Sequence, residues 1–160
     1  HMKKITKIKL KIESDYDADL DHIGTWSDEC GKYGLLHNKD RYMNEMAYFN
    51  STNAESIEEA RRDYKRMKQF LSRDVEMLGF YAEATIETWQ DSTGAGAGRI
   101  RNVIRTPGLW GVDSDASSSD YAEIEGQQLE DLKDVLMELG FVEEEIEAFT
   151  PEYVETPLHL

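Results

Sequence analysis

The chain has 160 residues, 33 acids against 18 lysines and arginines, a net charge of −15 and a mean hydropathy of −0.65. That length supports a single domain with one core, and no apolar run approaches the ~18 residues of a membrane-spanning helix. The acidic balance also disfavours direct binding to nucleic acid, whose phosphates are held by many Lys and Arg side chains.

His1-Met2 reads as a cloning scar, and Lys3 to Lys11 holds five lysines among isolated apolar residues, with no secretory apolar core. Ile8, Leu10 and Ile12 alternate with Lys7, Lys9 and Lys11, the pattern of a half-buried strand. Glu13 to Asp21 places Glu13, Asp15, Asp17, Asp19 and Asp21 at every second position, which predicts a loop. From His22 to Asn38, and again from Arg41 to Asn53, glycines and aromatics predict irregular structure. Ile57, Ala60, Tyr64, Met67 and Leu71 then recur at helical spacing, with glutamates in the first turns and a basic face after them, so a helix is expected over 55–72.

Leu78 to Trp89 alternates, followed by Gly94-Ala-Gly-Ala-Gly98 and a second strand over Arg99 to Thr106. An antiparallel hairpin that sets Glu87 opposite Arg101 and Glu83 opposite Arg105 pairs Ala84 with Ile104 and Thr88 with Ile100 on the core side. The lysine-faced first strand fits beside the glutamate row. Pro107 to Tyr121 is a joint, with Trp110 as a core plug. Tyr121, Ile124, Leu129, Leu132, Val135, Leu136 and Leu139 predict a helix over 118–140, launched by caps among Ser117 to Asp120, with Asp120 and Glu123 placed for a capping box. A shorter helix over Phe141 to Phe149 stops at Thr150-Pro151, and the last residues fray. The expected fold is α+β: a small antiparallel sheet of about three strands packed by two amphipathic helices, with 112–160 an acidic helical segment.

Charge divides unevenly along this chain. Residues 112–160 hold fifteen acids and one base, Lys133, hence −14, while residues 1–111 carry −1. Such asymmetry suggests an electrostatic face with a role, against the simpler reading of a solubilising surface. Glu130, Asp131, Asp134, Glu138, Glu143, Glu144, Glu145 and Glu147 are the candidate partner-binding residues, with Trp89 on the charged strand face as an aromatic contact.

Other clusters carry weaker chemistry. The glycine loop lacks the following helix and Lys that a phosphate cradle needs, so it reads as a hairpin tip. Asp113-Ser-Asp-Ala-Ser-Ser-Ser119 starts like a calcium loop, but Ser118 stands where the Gly belongs and Ile124 where the Glu belongs. Asp15, Asp17 and Asp19, with Asp21 and His22, are weak candidates for a divalent metal. Cys30 with His22 or His37 has no zinc spacing, and a lone thiol fits a reducing cytoplasm. No cofactor motif is present.

Gly108 to Asp115, reading Gly-Leu-Trp-Gly-Val-Asp-Ser-Asp, is followed by Tyr121 and an acidic helix ending Leu-Gly-Phe141. With Asp15-Tyr-Asp-Ala-Asp19, Gly24-x-Trp26-Ser-Asp28, Asp63-Tyr-x-Arg-Met67 and Gly79-Phe-Tyr-Ala-Glu-Ala84, it resembles a family of small uncharacterised proteins of phages, plasmids and other bacterial mobile elements. Val112-Asp113 replaces the Ile-Glu usual there, and the hairpin tip is longer. The resemblance covers most of the chain and implies a mobile-element context; it supplies no catalytic residue.

These readings lead to a non-enzymatic, cytoplasmic protein. Its acidic helices imitate a phosphate row and inhibit a host defence protein with a basic nucleic-acid-binding surface, a CRISPR effector or a restriction enzyme. The alternatives are an accessory or scaffold protein with a merely solubilising acidic face, and a metal-dependent enzyme using the Asp15–Asp21 run.

Overall fold

The lysine-isoleucine alternation belongs to a strand longer than its clean period. In the computed structural model, which describes residues 2–37, 46–90 and 98–155, β1 (Met2–Ser14) pairs antiparallel with β5 (Met77–Trp89). A bulge between Ile5 and Lys7 lets Ile5 and Ile8, three residues apart, enter the same core. The other edge of β5 takes β6 (Ile100–Arg105) and then β7 (Leu109–Asp113). All four hairpin pairs read from the sequence are present: Glu83 with Arg105, Glu87 with Arg101, Ala84 with Ile104 and Thr88 with Ile100. β8 (Glu152–Glu155) runs parallel to β1, so the strand order is β6-β5-β1-β8, with β7 also on β5.

The architecture is α+β, and this sheet has five strands of mixed direction where about three antiparallel ones are expected. The added strands, β7 and β8, are short edge segments without clean alternation, so backbone pairing places them. They belong to one of two compact units, residues 1–16 with 77–159; the other unit is 17–76.

In the first unit, α2 (Ser118–Glu138) and α3 (Glu143–Glu147) cover one face of the sheet. Ile5, Ile8 and Leu10 of β1, Ala82, Ala84 and Ile86 of β5, and Leu132 and Leu136 of α2 share the core with Phe141 and Ile146. Gln128 is buried on the α2 stripe midway between Ile124 and Leu132, and Thr106 Oγ1 donates to its Oε1 at 2.8 Å. The helix starts at Ser117, whose Oγ accepts from Asp120 N at 3.1 Å, so Ser117 is the cap and Asp120 lies in the first turn. The last turn has no basic residue; Lys3 of β1 substitutes, donating from Nζ to the Leu139 carbonyl and standing 5.0 Å over the Phe141 ring.

Trp110 is not a core plug. It is 43% exposed, on the face of the sheet away from α2, stacked 6.0 Å from Tyr81 and lying on Gly79. A Cβ at position 79 would meet the indole at 2.1 Å, so a glycine beneath the ring is required. Indole Nε1 donates to the Pro107 carbonyl at 2.9 Å and fixes the ring.

The second unit replaces the expected irregular structure with a three-stranded antiparallel sheet, β2 (Gly24–Ser27), β4 (Tyr48–Ser51) and β3 (Leu35–Leu36), in the order β2-β4-β3. Helix α1 (Ile57–Leu71) begins at the Ser56 cap. Met67 packs with Ile23 and Phe49, against which Trp26, Tyr64 and Phe70 lie. Ile57 and Leu71, at the ends of the expected stripe, are exposed. Among the described residues no helix is long and apolar enough to cross a membrane.

Candidate functional site

Four-residue steps put Glu130, Asp134 and Glu138 in one row on α2, about 6 Å apart along the axis. All three are exposed, as are Glu143, Glu144, Glu145 and Glu147 of α3. Asp131 is half-buried and accepts from Gln127 Nε2 at 2.8 Å. Of the fifteen acids in 112–160, twelve are exposed; Asp113, Glu125 and Asp131 are the exceptions.

Lys133, the one base of this segment, is engaged by two of those carboxylates. Its side chain is 20% exposed, and its Nζ donates to Glu143 at 2.6 Å and Glu147 at 3.3 Å, tying α3 to α2. These two hydrogen bonds raise the Lys133 pKa. The bond to Lys133, with Glu147 second, holds Glu143 below the usual carboxylate range. At Glu125 burial first, and then the charge of Glu155, push the carboxyl above its ordinary value. Glu155 is thus close enough to Glu125 to oppose its ionisation, the second influence there after burial.

The opposite face of the sheet is built differently. Glu83, 6% exposed, accepts from Arg105 Nε at 2.8 Å and pairs with Lys11 Nζ at 3.3 Å. Burial is the largest influence on Glu83 and pushes its pKa up. The bonds from Arg105 and Lys11, with their charges, outweigh it and hold the group below its ordinary value. Glu87 takes Arg99 at 3.4 Å and Arg101 at 3.5 Å. Trp89 stands between Lys4, 5.8 Å from its ring centroid, and Arg99, at 5.2 Å. The fold thus brings the candidate acids together on the helical layer and sets Trp89 on the far side of the sheet.

The weaker candidates have structural partners. Asp15 Oδ2 accepts from Gly111 N at 3.1 Å and so holds β7, and Asp19 Oδ1 accepts from Asp21 N at 2.8 Å in a local turn. His22 Nδ1 lies 3.2 Å from the Asp19 carbonyl, and Asp17 is exposed. Among the described residues no three His, Cys, Asp or Glu side chains converge as metal ligands would. In the calcium-like stretch the hydroxyl of Tyr121 donates to the carbonyls of Asp113 and Ser114. Cys30 is an exposed free thiol near the Gly31 and Gly34 carbonyls. The glycine loop lies outside the described residues except for Gly98.

A groove in the acidic layer had no signal in the sequence, because its walls come from three separate stretches. Ile8, Leu129, Leu132, Ile146, Phe149 and Pro151 surround a cleft of about 310 Å³, with Glu130, Lys133 and Glu147 at its rim. Compared with family profiles, curated proteins and solved structures, the chain matches none.

Proposed function

We propose that the protein is a non-catalytic interaction protein of a bacterial mobile element that acts in the host cytoplasm. Its α2–α3 surface docks into the Lys/Arg-lined nucleic-acid channel of a host defence protein, a CRISPR effector or a restriction enzyme, and blocks it. The supporting observation is the exposure of twelve carboxylates on a segment whose single base is held by its own glutamates. Carboxylates accept charge-assisted hydrogen bonds from Arg and Lys much as phosphates do, and a large field of one sign speeds capture of an opposite partner. A protein with a basic surface is the partner on this reading; nucleic acid and membrane are not. The resemblance at Gly108 to Asp115 supports the mobile-element setting.

The test neutralises charge without disturbing the fold. Glu143 and Glu147 hold Lys133, so the informative set is Glu130, Asp134, Glu138, Glu144 and Glu145, changed to Gln or Asn. Capture of candidate effectors, and inhibition of their nuclease activity, should weaken steeply with salt and be lost in the five-fold variant. Unchanged inhibition by that variant sinks the proposal.

A second reading is favoured by Ile100, Val103, Leu109 and Trp110, which leave apolar surface exposed on β6 and β7. An accessory or scaffold protein using this surface would self-associate with no dependence on salt, which sedimentation velocity reads directly. Nothing in the placement of Asp15, Asp17 and Asp19 favours the metal-dependent enzyme.

A further inference from the structure

Charge alone explains how an acidic surface attracts a basic partner, but not how it holds one. Exposed ion pairs contribute little each, and the strong contacts of interfaces are apolar anchors seated in pockets with a polar rim. The cleft between α2, α3 and β1 has that form. Its lining is Ile8, Leu129, Leu132, Ile146, Phe149 and Pro151, and the volume of about 310 Å³ sits at the small end for ligand sites. It suits one large side chain better than a cofactor.

Two further features point to a cleft kept open. Gly126 lies at its lip, in the interior of α2, where a glycine costs about 1 kcal/mol relative to Ala. A Cβ built there meets nothing within 4 Å, so packing does not require the glycine, and its φ is not in the left-handed region. The glycine adds no side chain at the lip, so nothing from this position projects over the opening. The rim is anionic: Glu130 and Glu147 are exposed, and the only cation on it, Lys133, already bonds Glu143 and Glu147.

We infer that this cleft receives a single large apolar side chain, Phe or Leu, from a Lys/Arg-rich segment of the partner protein. The rim carboxylates bind the flanking cations, and the Leu129–Ile146–Phe149 walls take the anchor. The inference rests on the reading of the α2–α3 surface as a docking face and adds the chemistry of the segment that docks.

The probes are two labelled twelve-residue Lys/Arg peptides, identical except that one has Phe and the other Ala at a central position. Anisotropy titrations compare them on the full chain, on Gly126→Leu, on Gly126→Ala and on the five-fold neutralised variant. Burial of a Phe side chain predicts about 10- to 100-fold tighter binding of the Phe peptide. Gly126→Leu should erase that preference by filling the cleft, while Gly126→Ala keeps it. Both substitutions favour the helix, so thermal melts no lower than wild type show that loss of binding is not unfolding. Equal affinity for the two peptides, or a Phe preference that survives Gly126→Leu, overturns the cleft assignment. If that equal binding is lost in the neutralised variant, the charge-based docking face still stands. If neither peptide binds at low salt, cleft and docking face fall together.

Discussion

Glu83 shows how much one side chain on the sheet is asked to do. It is almost wholly buried, yet ionised, because Arg105 and Lys11 both bond its carboxylate. Glu83→Gln removes the charge from these bonds and leaves two cations to find water. Arg105 is mostly exposed and hydrates easily, so the expected cost is at the low end for charge-assisted bonds, about 1–2 kcal/mol. Since the folded-state pKa of Glu83 is depressed, its stabilisation is present above the ordinary carboxylate range and is lost as pH falls through the depressed value. Denaturant melts of wild type and variant should therefore differ at neutral pH and converge on acidification. A gap that persists in acid would mean that the loss is one of packing, not of charge. Trp110 makes a related point at a single position: its exposed ring is held by the absence of a side chain at Gly79, which no reading of residue 110 alone reveals.

At the scale of elements, α2 is a helix whose two ends are secured by different means. Its start is local. Ser117 caps the Asp120 amide, and Ser117→Ala should cost about 1 kcal/mol, read as a lower melting temperature with unchanged far-ultraviolet circular dichroism at low temperature. If the variant melts with wild type, the cap is not the stabilising contact. Its end is tertiary: Lys3 arrives from the first strand to satisfy the Leu139 carbonyl, 136 residues away in sequence. The short α3 is likewise placed by tertiary contacts, Ile146 in the core and Lys133 bonded to Glu143 and Glu147, since five residues could not hold a helical turn in isolation.

For the whole molecule, the question is where a charge of −15 sits. Nearly all of it belongs to 112–160, and most of those carboxylates are exposed on or beside α2 and α3. Repulsion within such a surface destabilises the folded state and is weakened by salt, whose screening length falls to about 3 Å at 1 M. Thermal stability at pH 7 should rise with sodium chloride by about 2–4 °C, the equivalent of roughly 1 kcal/mol for a chain of this size. The five-fold neutralised variant should start higher and respond less. A wild-type melting temperature indifferent to salt would show that the carboxylates are too far apart to oppose one another.

Much of the first unit was written in local pattern. Period-two alternation over Lys7 to Ile12 and Leu78 to Trp89, with complementary charges at Glu83, Glu87, Arg101 and Arg105, determined two strands and the hairpin register, because a shift by one residue would turn every side chain to the wrong face. Helical spacing and capping residues determined α2 in the same way, and α1 in the second unit. Tertiary structure alone decided the rest. β2, β3, β4, β7 and β8 are two to five residues long, too short for a period to show, and they exist through hydrogen bonds to distant partners. The acidic face could be counted from the chain, since charge is a property of composition. The cleft within it could not, because Ile8, Leu129, Ile146 and Pro151 become neighbours only when the sheet and both helices close around them.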